Sequence, residues 1–76
     1  ASYSLTLRLK IKNIPGMLGI VSSKIGEIGA DIGAIDIYGF EDDCIIRDLT
    51  VAVRDQAHKE QLVAELDKLE GCTMIH

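Results

Sequence analysis

Residues 3–12 alternate between apolar and polar side chains along their length, and this alternation restricts the fold more than any other feature of the chain. Tyr3, Leu5, Leu7, Leu9 and Ile11 fall on one side, with Ser4, Thr6, Arg8, Lys10 and Lys12 on the other. Successive side chains of a strand point to opposite faces, so a period of two specifies a half-buried strand. Its polar side carries three cations and two hydroxyls, a surface that is either wet or set against another polar surface. Helices are therefore expected to cover the other face of the sheet only.

The strand pattern breaks at Asn13-Ile14-Pro15-Gly16, where Pro holds the residue before it extended and Gly permits a sharp turn. Met17, Leu18, Val21, Ile25 and Ile28 then recur at helical spacing, opposite Ser22, Ser23, Lys24 and Glu27, and Gly29 supplies the stop. Residues 31–38 read as a second strand in which Ile35 and Ile37 share a phase that Ile32 does not, so a bulge is expected at Gly33. An acidic turn is expected over 39–43, and a third strand over 44–53 with Leu49, Val51 and Val53 on one side. Arg47 falls in that apolar phase, where a charge costs free energy unless it lies near the strand end or meets an acid. Asp55 is a good N-cap for a second helix whose apolar face is Leu62, Val63, Leu66 and Leu69; Gly71 ends it, and 72–76 form the last strand. The order is βαββαβ. Right-handed crossovers then favour an α+β, ferredoxin-like sandwich, a four-stranded antiparallel sheet with two helices on one face.

The 76 residues are too few for a two-domain enzyme, so residues 1–76 read as a single domain. With 47% apolar and 26% charged residues the composition is that of an ordered globular chain. A net charge of −4 argues against a surface built for nucleic-acid phosphates or anionic lipid, which leaves protein and small molecules as partners. No apolar run approaches the roughly 20 residues that span a bilayer, and the polar start is unlike a signal-peptide core, so a soluble cytoplasmic location is expected.

No catalytic constellation is visible. His58 has charged neighbours and His76 is the last residue, so both read as surface histidines with no partner for base catalysis. Asp31, Asp36, Asp42, Asp43 and Asp48 lack the spacing of a calcium loop and read as solvated turns and strand ends. Cys44 and Cys72 have neither CxxC spacing nor a nearby His, and read as reduced thiols at strand positions. Neither a metal nor another cofactor is expected. Gly16-Met17-Leu18-Gly19 joins a strand to a helix start, where free N–H groups favour an anion; the same four residues satisfy the GxxG pattern of an RNA clamp, which the net charge opposes.

Asn13-Ile14-Pro15-Gly16-Met17-Leu18 after a strand, Ile25-Gly26-Glu27-Ile28-Gly29-Ala30-Asp31-Ile32 at the helix end, and the βαββαβ order together resemble an ACT domain, the regulatory module of many metabolic enzymes. The resemblance covers essentially the whole chain. Within that family, Gly29-Ala30-Asp31-Ile32-Gly33-Ala34-Ile35-Asp36-Ile37 and Ile46-Arg47-Asp48-Leu49-Thr50-Val51 are similar to the amino-terminal ACT region of bacterial NAD-dependent malic enzymes. That implies a fragment of a longer enzyme, non-catalytic by itself, with the parent's catalytic domain as one partner. It also implies homo-oligomers and an effector, an amino acid or a dicarboxylate, bound between paired domains. By position, Asn13 would contact the ligand, the backbone of Gly16, Met17 and Leu18 would receive its carboxylate, and Asp31 would face its ammonium. The alternatives are an ACT domain of another metabolic or alarmone enzyme, a ligand-free dimerisation module, and a small RNA-binding α/β domain.

Overall fold

The computed structural model describes residues 2–75. Its elements are β1 (Tyr3–Lys12), α1 (Met17–Glu27), β2 (Asp31–Glu41), β3 (Cys44–Val53), α2 (Gln56–Asp67) and β4 (Cys72–Met74). The strands pair antiparallel in the order β2-β3-β1-β4, so β1 and β3 are central while β2 and β4 form the edges. This is the expected ferredoxin-like βαββαβ sandwich.

The alternation of β1 is realised as burial. Leu7, Leu9 and Ile11 face the helices and pack with Leu49, Val51 and Val53 of β3, Val21 and Ile25 of α1, and Leu62 and Leu66 of α2. Each such side chain, taken from water, contributes about 1.5–3 kcal/mol to the hydrophobic term. On the opposite, helix-free face Arg8 donates to both carboxylate oxygens of Asp48, at 2.8 and 3.1 Å, and lies 3.4 Å from the centre of the Tyr38 ring. Thr6 and Thr50 meet beside them at 3.5 Å.

The bulge expected at Gly33 is present: the register steps from Ile32↔Val51 to Ala34↔Thr50. A second step, between Ile37 and Gly39, passes over Tyr38. Because two bulges keep β2 in register, the strand runs on to Glu41, and the acidic turn expected over 39–43 shortens to Asp42 and Asp43. Asp42 has φ 54, a left-handed conformation that Asp tolerates in tight turns.

One histidine departs from expectation. His58, read from its charged neighbours as a surface residue, is 3% exposed. Its Nδ1 accepts the Arg54 N–H at 3.0 Å, so the other ring nitrogen, Nε2, carries the proton and donates to the Ile28 carbonyl at 2.9 Å. The spacing that announces this is His58, Leu62, Leu66, one stripe at intervals of four facing the core. The ring ties the start of α2 to the end of α1. His76 lies outside the described residues, as does the end of the last strand expected there; β4 ends at Met74, and Ile75 adds a further bond to the Arg8 carbonyl at 2.8 Å. The helix expected to end at Gly71 closes at Asp67, and Gly71, with φ 86, turns the chain into β4. Both cysteines are free, and burial pushes the Cys72 thiol pKa up.

Candidate functional site

The end of β1 and the start of α1 are joined by a turn whose backbone is satisfied locally. Asn13 N–H donates to the Asp43 carbonyl at 2.9 Å, Lys12 N–H to the Gly71 carbonyl at 2.9 Å, and Met17 N–H to the Ile14 carbonyl at 3.2 Å. Gly16 occupies the N-cap with φ 85, and nothing lies within 4 Å of where a Cβ would project. Glycine is needed there for its left-handed backbone and not for space. No side chain caps α1 and its first turn holds no acid, whereas the Asp55 carboxylate caps α2 by accepting the His58 N–H at 2.8 Å. The first-turn N–H groups of a helix have no intrahelical acceptor, so the start of α1 presents a partial positive charge.

Above this turn lies an open recess of about 110 Å³, bounded by Ile11, Lys12, Asn13, Ile14 and Gly16 from β1 and the turn, Leu18 and Gly19 from α1, and Ile45 and Arg47 from β3. Three residues expected at a ligand site, Asn13, Gly16 and Leu18, therefore meet in one place. Met17 does not bound it: its side chain is buried in the core, and its N–H, the group expected to receive a carboxylate, donates to the Ile14 carbonyl. A second, shallower hollow beside Met17 is lined by Lys12, Ile14, Glu70 and Gly71. Asp31 is elsewhere. It begins β2 opposite Ala52, whereas Lys12 pairs with Cys44 at the other end of β3, and eight residues of strand separate these ends by on the order of 25 Å. Within one chain Asp31 and the recess are apart.

Lys12, Ile45 and Arg47 were not among the expected site residues, and Gly19 was expected only as the end of the Gly16-Met17-Leu18-Gly19 stretch. Arg47 had a signal in the sequence, a cation in the apolar phase of β3, and the structure answers the question it posed: the residue is half-buried and lines the recess instead of meeting an acid. Among the described residues no group of three or more His, Cys, Asp or Glu side chains could hold a metal ion, and no helix is long and apolar enough to cross a membrane.

The sequence model of the family described as ACT domain matches residues 1–76. Over 71 residues the chain is 28% identical to NAD-dependent malic enzyme 1 of Bacillus subtilis (strain 168), an alignment that covers 93% of this chain and 16% of that protein.

Proposed function

The chain belongs to the ACT domain family, whose members are regulatory and non-catalytic modules, and on that premise we propose that it senses a small effector by pairing with a second copy of itself. The observation that carries this is the edge strand β2. Ile35, Ile37 and Phe40 are 38%, 54% and 71% exposed, an apolar row opposite the core-facing phase of β3, on a strand whose outer edge has no partner among the described residues. Open edges of this length and character pair with other chains unless they are blocked.

Antiparallel pairing of β2 with β2, centred on Asp36, sets Asp31 of one copy opposite Glu41 of the other. That end of β2 adjoins the turn at Asn13, since Glu41 pairs with Cys44 and Cys44 with Lys12. Asp31 of each copy is then carried towards the other's recess, which brings together the residues that one chain holds apart. An amino acid or a dicarboxylate bound there would favour one arrangement of the pair and so act on an attached catalytic domain. The similarity to a malic enzyme supports an enzyme of that kind as the parent, with malate chemistry performed outside these residues.

Light scattering across concentration tests the pairing. A dimer or larger assembly is expected, reduced to a single chain by Phe40→Lys, which places a charge in the exposed row. A single chain at high micromolar concentration without the substitution would overturn the proposal.

A further inference from the structure

The chain as a whole is acidic, with a net charge of −4, yet the recess at the start of α1 is lined by two cations, Lys12 and Arg47, and by no carboxylate. Arg47 is the more telling of the two. Ile45, Leu49, Val51 and Val53 share its phase on β3 and are buried, and across the sheet it stands between Leu9 and Ile37. Two further cations of the sheet have partners: Arg8 holds Asp48, and Lys10 donates to Glu41 at 2.7 Å. The Arg47 guanidinium makes neither a hydrogen bond nor an ion pair with any described residue. A guanidinium half-withdrawn from water among aliphatic side chains costs free energy until an anion meets it.

The recess thus offers two separate attractions for negative charge. One is the uncapped start of α1, and the other is the guanidinium on the β3 floor, whose fork suits a carboxylate. A single carboxylate can satisfy one of them. The recess, about 110 Å³, is smaller than the usual drug-sized ligand site and admits only a small molecule. Resting on the reading that this recess takes an effector, we infer that the effector is a small molecule with two carboxylates, and that Arg47 is the specificity-determining residue that holds the second. Dicarboxylates and acidic amino acids share this chemistry and differ in the ammonium.

The test is calorimetric titration of the chain with succinate, L-aspartate, butyrate and L-alanine at fixed ionic strength. Succinate or L-aspartate should bind at least about tenfold more tightly than its one-carboxylate counterpart, the scale of one hydrogen bond to a charged group. Arg47→Met keeps an aliphatic stem and removes the charge. It should weaken the two-carboxylate ligand by roughly 10–100-fold and leave butyrate and L-alanine unchanged, with a melting temperature equal to or above that of the parent chain. A fall in melting temperature without loss of the two-carboxylate preference would mark Arg47 as structural and overturn the inference. L-alanine binding as tightly as L-aspartate, insensitive to Arg47→Met, would also overturn it while leaving an effector module in place. If the chain pairs but binds none of the four, the effector reading fails and this inference with it. A preference for L-aspartate over succinate, or the reverse, identifies which source of the two carboxylates the site takes.

Discussion

Strands β2 and β3 lie side by side and are both rich in β-branched and other apolar residues, yet they meet opposite environments. In β3 Leu49, Val51 and Val53 are at most 1% exposed, while directly across the ladder from Leu49 stands Ile35 at 38%, and from Arg47 stands Ile37 at 54%. The difference lies in position. β3 has strands on both sides and helices over one face; β2 is an edge strand that the two helices do not fully cover. An apolar strand sequence therefore declares that burial is wanted without saying by what. In β3 the chain supplies the cover, and in β2 it leaves the apolar side chains exposed.

The largest effect should come from the buried member of the pair. Leu49→Ala leaves a cavity in the core and should cost about 2–5 kcal/mol in denaturant unfolding, whereas Ile35→Ala should cost less than about 1 kcal/mol in single chains. Equal losses in dilute solution would break the contrast between the strands. Next in size is Gly16→Val, where the φ of 85 and the open space around the residue make the cost one of backbone strain, about 1–3 kcal/mol. Effector affinity should fall with it, and an unchanged melting temperature with unchanged binding would remove the turn from the site.

Asp31→Asn sharpens the comparison from the β2 side. For an effector with an ammonium group, affinity should fall by roughly 1–3 kcal/mol while the fold is unaffected. For a dicarboxylate without ammonium the Asn variant should bind more tightly, because a repelling charge is gone. Equal affinity of both forms for both ligand classes, titrated at fixed salt, would take Asp31 out of the site.

The smallest effect belongs to the ion pair that reaches over β3 to the end of β2. The Glu41 carboxylate beside Lys10 holds its ammonium pKa above the usual lysine value. A group whose pKa is raised on folding contributes stability below its unfolded value and loses it as pH rises through the folded one. Lys10→Met should thus lower the melting temperature slightly at neutral pH, and the difference should fade as the pH rises through the raised lysine pKa. A difference that persists beyond it would assign the effect to packing of the lysine stem.

The local patterns were sufficient for the elements. The period of two in β1, the Pro15-Gly16 break, the capping Asp55 and the slip of phase at Gly33 each correspond to a feature of the structure, because each depends on neighbours a few residues apart. Packing decided the rest. The burial of His58 depended on a carbonyl 30 residues away, at Ile28. Tyr38, at the second bulge, meets Arg8 of β1 across the intervening β3. Asn13, Gly16 and Leu18 sit close in sequence and so could be grouped by reading, but Arg47 joins them only because β3 pairs with β1 in one register, and Asp31 is held away from them by the same pairing. Strand register and sheet order are set by the sum of many weak long-range contacts, which is why the sequence by itself determined the pieces and their order, while which pieces line a common recess was decided in the tertiary structure.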